Sequence, residues 1–134
     1  MYTETTNNVR VTVRPIFLED QSFPNEPHYA WAYHVKLENV GKETVQLLSR
    51  YWRIIDASGG LKEVKGAGVV GEQPVLKPGE VYEYTSGTNL KTETGLMEGL
   101  YQMQYIGGES NGDFIEVEIP AFTLETPYTN IIIH

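Results

Sequence analysis

Apolar residues occupy every second position in several separate segments of this chain. The clearest cases are residues 9–13, 29–37, 101–105 and 115–119, where the intervening side chains are mostly polar. Because successive side chains of a β-strand point to opposite faces, this pattern is typical of strands with one buried and one wet face. No segment shows the sustained spacing of three and four residues that an amphipathic helix needs. The chain is therefore predicted to be almost entirely strands, with a first strand at residues 9–13 that ends at Pro15.

Turn-forming residues separate these segments. Asn, Asp, Ser, Pro and Gly are concentrated at residues 39–42, 56–60, 78–79 and 107–113. Further strands are predicted at residues 61–64, 69–70 and 81–85, and two strand-length stretches are predicted within residues 45–55, around Ser49 and Arg50. Short strands between regular turns predict an all-β fold, an antiparallel β-sandwich of the immunoglobulin-like or fibronectin type III-like kind.

Length and composition restrict the class of protein further. The 134 residues suit a single domain, taken as residues 1–134 with a core from about residue 8 to about 127 and short tails. There is no cysteine, which suits a reducing cytoplasm, and neither a signal peptide nor a membrane-spanning run is visible. The net charge of −8 argues against a nucleic-acid partner, because such binding depends on clustered Lys and Arg. A soluble cytoplasmic protein is predicted, with no membrane or nucleic-acid partner.

Three segments together resemble the ApaG family. They are residues 45–86, with their glycine-rich middle and Pro-Gly corner, then residues 95–103 (GLMEGLYQM) and 119–122 (IPAF). The resemblance implies the same β-sandwich. It also implies links to cobalt resistance, to magnesium efflux and to a neighbouring diadenosine tetraphosphate hydrolase, and an interaction role like that of ApaG-like domains in eukaryotic F-box and DNA-polymerase-delta-interacting proteins. The chain departs from the family pattern at Thr92-Glu93, where Thr-Pro is usual.

A glycine motif is the main candidate for a ligand site. Gly66, Gly68 and Gly71 fit the pattern G-x-G-x-x-G, which in dinucleotide-binding folds brings a backbone close to pyrophosphate at a helix N-terminus. The β-favouring Val69 and Val70 argue against such a helix. Two interpretations stay open. The glycines make a bulge or a close backbone crossing, or their loop amides bind a phosphate or nucleotide without a helix.

Histidine and carboxylate residues do not predict a metal site. His28 and His34 share a strand face, but about 3.3 Å per residue places them about 20 Å apart, beyond the reach of one zinc ion. Glu116 and Glu118 alternate with apolar residues, as expected for the wet face of a strand. No nucleophile motif, P-loop or zinc-hydrolase motif is present. The sequence predicts no metal, no cofactor and no enzymatic activity.

Two apolar or aromatic features suggest contacts with another protein. Arg50, Tyr51 and Arg53 surround Trp52 in a run whose composition is typical of interface hot spots, with Trp52 interpreted as a core residue. The tail at residues 131–133 is three isoleucines, predicted to pack on the sandwich or to pair with an edge strand, with partner docking as the alternative.

Two functional hypotheses follow from the sequence. The first is a non-enzymatic binding module of the ApaG type whose partner is another protein, the chain itself being a monomer or a weak homodimer through sheet edges. The second is a small-molecule sensor that binds a nucleotide or pyrophosphate through the loop from Gly66 to Gly71.

Overall fold

The computed structural model describes residues 1–127, and its regular elements are almost all strands. In chain order they are β1 (Tyr2–Thr6), β2 (Val9–Phe17), β3 (Tyr29–Asn39), β4 (Thr44–Asp56), β5 (Leu61–Ala67), β6 (Val75–Leu76), β7 (Val81–Leu90), β8 (Gly95–Ile106) and β9 (Phe114–Leu124). A short 3-10 helix, Glu19–Gln21, precedes β3. The predicted all-β class is confirmed.

The strands form two antiparallel sheets. Sheet I has the order β1-β2-β3-β7, and sheet II has the order β5-β4-β8-β9, with β6 also pairing with β4. β8 pairs with the whole length of β4, so β5 and β6 lie one after the other along the opposite side of β4. The two sheets pack face to face, which confirms the predicted β-sandwich.

Aromatic rings hold the two sheets together. Tyr33 of sheet I packs edge-on against Trp52 of sheet II at 5.2 Å between ring centres, and Trp52 packs edge-on against Phe122 at 6.0 Å. Trp52 is only 2% exposed, which confirms its interpretation as a core residue. Burial of a large ring contributes both apolar area and the favourable edge-to-face geometry.

The fold begins earlier than the sequence predicts. Residues assigned to an N-terminal tail form β1, which pairs with β2 from Tyr2 opposite Val13 to Thr6 opposite Val9. Asn7 and Asn8 join the two strands with φ angles of 50° and 63°. Positive φ at both central residues defines a type I′ hairpin turn, which asparagine tolerates well. The Asn-Asn dipeptide could therefore have predicted this hairpin from the sequence.

Pro15 does not end its strand, contrary to the prediction. β2 continues to Phe17, with Pro15 opposite Tyr33. The amide of Val40 donates to the carbonyl of Asn8 at 2.9 Å, which places the even-numbered residues of β2 in hydrogen-bonded pairs with β3. The nitrogen of Pro15 therefore points away from β3, past the end of β1, and the missing N–H breaks no pairing.

Two further details of the strand prediction are wrong. The two stretches within residues 45–55 are one strand, β4, whose register with β8 shifts between Leu47 and Ser49. The extra residue, Leu48, forms a β-bulge. It reverses which residues point inwards without ending the strand. Val69 and Val70 do not form a strand; only Val69 is in a bridge, with Glu72, and Val70 lies in the turn between them.

The sandwich has a closed side, where edge strands of the two sheets contact each other, and a more open side, where the described link is a hydrogen bond from the hydroxyl of Tyr82 to Glu72 at 2.9 Å. On the closed side, the hydroxyls of Tyr2 and Thr123 lie 2.9 Å apart and the side-chain Nδ2 of Asn7 donates to the carbonyl of Glu116, so the hairpin of β1 contacts β9. On the open side, the edge strands are β7 of sheet I and β5 of sheet II. The loop of residues 66–71 lies on this open side, between β5 and β6.

Candidate functional site

The predicted surface of Arg50, Tyr51 and Arg53 is divided between the two faces of sheet II. Arg50 shares its facing with the buried Trp52, and its partner on β8 is Tyr101, which is fully buried. Tyr51 and Arg53 point to the outer face. Arg50 therefore lies at the rim of the core, and together with Tyr51 it also lines a depression on the outer face.

Arg50 holds the glycine loop in place. Its Nη1 donates to the carbonyls of Ala67 at 3.1 Å and Gly68 at 2.9 Å. A Cβ on Gly66 would lie 2.7 Å from the same nitrogen, which is shorter than real contacts allow. The guanidinium thus lies over Gly66, and a Cβ at this position would displace it.

The other two glycines also have conformational reasons. Gly68 has a φ of +64°, and a Cβ there would lie 2.2 Å from the backbone oxygen of Glu72. Val70 and Gly71, with φ angles of 43° and 81°, form a two-residue turn closed by two backbone bonds between Val69 and Glu72. Positive φ therefore favours glycine at positions 68 and 71, and close packing adds to this at Gly68.

Several amides in and beside this loop bond to carbonyls of the protein. The N–H of Gly68 donates to the carbonyl of Leu48, in the β4 bulge, and the N–H groups of Val69 and Glu72 bond to each other's carbonyls. A phosphate nest needs successive amides that point together into an open concavity. The geometry favours the close-packing interpretation of the glycine motif over the phosphate interpretation.

A polar cluster lies in the core beside Arg50. The hydroxyls of Tyr84 and Tyr101 are hydrogen-bonded to each other, and Tyr33 is hydrogen-bonded to Ser86. Burial is the main cause that raises the pKa of Tyr33, Tyr84 and Tyr101, while the charge of Arg50 opposes the shift in each. These phenols are kept neutral, and their hydroxyls are paired inside the sandwich.

The outer face of sheet II carries the side chains of Tyr51 and Arg53, which are both half-buried. Tyr51 lies directly opposite Leu100 on β8, at the centre of this face. The Tyr51 hydroxyl donates to Glu63 at 2.5 Å, and this hydrogen bond is the main cause that raises the pKa of Tyr51. Lys65 Nζ lies 5.3 Å from the centre of the Tyr51 ring, and Arg53 forms an ion pair with Glu98 at 2.8 Å. We call this surface the Tyr51 face.

Two depressions meet at the centre of the Tyr51 face. One, of about 420 Å³, extends towards Lys65, Gln102 and Glu116, and the other, of about 350 Å³, extends towards Arg53 and Glu118. Tyr51 and Leu100 line both. Sequence reasoning missed Leu100, although its position on a strand between the inward Gly99 and Tyr101 was enough to place it on the outer face.

A carboxylate pair stands at the rim of this face, where the closed side of the sandwich begins. Glu4 of β1 and Glu118 of β9 line the same depression. Partial burial, the hydrogen bond to Glu118 and the charge of Glu118 together raise the pKa of Glu4. The rim is therefore acidic at this end, as expected from Glu116 and Glu118, which are both exposed as the sequence predicts.

The histidines with a described environment are engaged separately. His34 contacts Thr85 through Nδ1 and Glu83 through Nε2, both at 2.9 Å, while the His28 ring lies 6.0 Å from that of Phe23. Within residues 1–127, no three His, Asp or Glu side chains are grouped so as to hold a metal ion. No helix in that part of the chain is long and apolar enough to span a membrane. The isoleucine tail at residues 131–133 lies outside the described residues.

The fold and the Tyr51 face define an antiparallel β-sandwich domain with a half-buried tyrosine and leucine at the centre of the outer face of one sheet. Comparison with known proteins identifies the family. The ApaG domain profile matches residues 19–105. Proteins named ApaG from Rhodospirillum centenum and Parvibaculum lavamentivorans are 56% and 51% identical to the chain, covering 96% and 100% of it and 95% and 100% of their own lengths. The chain belongs to the ApaG family.

Solved structures agree with this assignment. The crystal structure of a Bordetella pertussis protein described as ApaA matches with a TM-score of 0.83 and 40% identity, over 94% of this chain and 96% of that one. This match covers both sheets of the sandwich and confirms the fold that the sequence predicts.

Proposed function

We propose that this chain is a non-enzymatic protein-binding module that uses the Tyr51 face. The observation that carries the proposal is that Tyr51 and Leu100 lie opposite each other and line both depressions of that face. An aromatic and aliphatic centre with a charged border is the usual anatomy of an interface, in which a few buried residues supply most of the binding energy.

The border of the face indicates the chemistry of the partner. Five carboxylates and two cations lie around the centre, and they are Glu4, Glu63, Glu98, Glu116, Glu118, Arg53 and Lys65. Because the carboxylates outnumber the cations, a partner with an apolar centre and a lysine- or arginine-rich border fits best. The association with cobalt resistance and magnesium efflux that the family resemblance implies would act through this partner, in the cytoplasm.

The experiment has two stages. A photo-crosslinking amino acid at Leu100, and separately at Thr12 on the outer face of sheet I as a control, captures the partner in cells. The partner is then purified, and its affinity is measured for the wild type, Tyr51→Ala and Thr12→Ala. We expect capture only from position 100, an affinity loss of about tenfold or more for Tyr51→Ala, none for Thr12→Ala, and weaker binding at raised salt.

Two results would refute the proposal. One is equal capture from positions 100 and 12, which would indicate non-specific contact. The other is a purified partner whose affinity is unchanged by Tyr51→Ala. Folding of each variant is checked by its denaturation midpoint, so that loss of binding is not confused with unfolding.

A further inference from the structure

The free edge of sheet I is a long strand with no described strand beyond it. β7 pairs with β3 along its whole length, from Val81 opposite Glu38 to Leu90 opposite Tyr29. Within residues 1–127, no strand pairs with its other side. This edge lies on the open side of the sandwich, away from the Tyr51 face.

The hydrogen bond at the start of β7 shows which of its backbone groups are free. The amide of Asn39 donates to the carbonyl of Glu80 at 3.1 Å, so Glu80 and every second residue after it form hydrogen-bonded pairs with β3. The N–H and C=O groups of the alternate residues point outwards. These are the odd-numbered residues of the strand, Val81, Glu83, Thr85, Gly87 and Asn89.

The sequence of β7 lacks the residues that normally block such an edge. Natural edges are usually protected by lysine, proline, bulges, inward-pointing charges or a covering loop. The loop after β5 contacts β7 through the hydroxyl of Tyr82, which donates to the Glu72 carboxylate at 2.9 Å. β5, the other edge on the open side, has Lys62, Glu63 and Lys65 within its seven residues. β7 has one charged residue, Glu83, in ten, and neither lysine nor proline. β7 is therefore less protected against pairing with another strand than β5 is.

We infer that β7 pairs antiparallel with β7 of a second copy, about a two-fold axis at Thr85. The five outward-pointing residues are centred on Thr85, so this register satisfies the free backbone groups of both strands. Glu83 then lies opposite Gly87 of the other copy, and no like charges face each other. Odd-numbered residues of one copy then lie opposite odd-numbered residues of the other. The inner faces of the two copies of sheet I are therefore on the same side of the joined sheet. The net charge of −8 on each copy opposes association.

The test measures the oligomeric state by sedimentation equilibrium from micromolar to millimolar protein, at low and raised salt. We expect a weak dimer that strengthens with salt, because screening reduces the repulsion between two acidic copies. Thr85→Lys brings two ammonium groups together at the axis and should raise the dissociation constant by about tenfold or more. Thr12→Lys is the matched control: it adds the same charge to the outer face of sheet I and should leave the constant unchanged.

A second variant and a second readout keep the test decisive. Thr85→Pro removes an outward N–H that does not pair with β3, so it should weaken the dimer without unfolding the sandwich. Hydrogen exchange should show amides of the odd-numbered residues of β7 becoming protected as protein concentration rises. A monomer at every concentration overturns the inference, whether those amides are exposed or are covered within the chain. A dimer that Thr85→Lys leaves intact also overturns it, because the interface is then elsewhere.

Discussion

The guanidinium of Arg50 lies over Gly66, with Nη1 only 2.7 Å from the position that a Cβ on Gly66 would occupy. This contact explains the first glycine of a motif that resembles a nucleotide-binding pattern. The group that this loop binds is the Arg50 guanidinium of the same chain. Its two hydrogen bonds to the carbonyls of Ala67 and Gly68 hold the loop against β4. The glycines are therefore explained by the fold.

Gly66→Ala should displace the Arg50 side chain and lose its hydrogen bonds to Ala67 and Gly68. Hydrogen bonds from a charged donor contribute about 1.5–3 kcal/mol, so a destabilisation at the lower end of that range is expected in urea unfolding. In an Arg50→Ala background the same substitution should cost clearly less, because the group it displaces is absent. Equal costs in both backgrounds would show that the two residues are not coupled.

Gly68→Ala should destabilise the protein more than Gly71→Ala. Both glycines have positive φ, which costs a residue with a Cβ about 1–2 kcal/mol. Gly71 has nothing within 4 Å of the added Cβ, whereas Gly68 meets the Glu72 carbonyl at 2.2 Å and forces the backbone to move. The free energies of unfolding of the two variants should differ by about 1–3 kcal/mol. Equal values would contradict the described crossing.

Pyrophosphate and ATP, each with and without Mg²⁺, should leave the backbone amide signals of residues 66–71 unchanged at millimolar ligand. The reason is that the N–H groups of Gly68, Val69 and Glu72 already bond to protein carbonyls. An NMR titration measures this directly, with the amides of residues 107–113, a second glycine-containing loop, as the reference for non-specific effects. Saturable shifts confined to residues 66–71 would restore the sensor hypothesis.

Tyr51→Ala and Leu100→Ala should change stability little, unlike substitution of their buried neighbour. Trp52→Ala removes a core ring and is expected to cost about 3–5 kcal/mol. The two outer-face variants should each lose less than about 1 kcal/mol, the usual range for surface positions. Urea unfolding of the three variants checks this. A large loss for Leu100→Ala would mean that its main role is in packing.

Stability should fall steeply in alkaline solution because of the buried tyrosines. The pKa values of Tyr84 and Tyr101 are raised by burial in the folded state, whereas unfolded tyrosine titrates near about 10. Above that pH the unfolded state binds fewer protons than the folded state, so the free energy of unfolding decreases as pH rises. Below about pH 9 this contribution is fully present and constant.

The size of the alkaline effect identifies its source. Each tyrosine contributes a slope of up to about 1.4 kcal/mol per pH unit above its unfolded pKa. The free energy of unfolding, measured in urea from neutral to strongly alkaline pH, should therefore fall less steeply with pH for the double variant Tyr84→Phe/Tyr101→Phe than for the wild type. An unchanged slope would assign the alkaline sensitivity to other groups.

The sequence was sufficient for the class of fold and for most strand positions. The alternation of apolar and polar residues in β3 and β9 was readable from the sequence, because it reflects which face of each strand is buried. It did not predict that Pro15 lies inside a strand, since that depends on where the neighbouring β1 ends. The length of β4 was likewise hidden by the bulge at Leu48, which reverses the alternation within one continuous strand.

The sequence by itself determined that this chain is an ApaG-type sandwich of alternating strands, because residue order along a strand fixes facing and local turn chemistry. Only the tertiary structure decided what Arg50, Tyr51 and the three glycines do. The bulge turns Arg50 inwards, pairing across β4 and β8 brings Tyr51 opposite Leu100, and the approach of Glu72 makes Gly68 necessary. These relationships join residues far apart in the chain, and their contacts depend on sheet register, which no local pattern specifies.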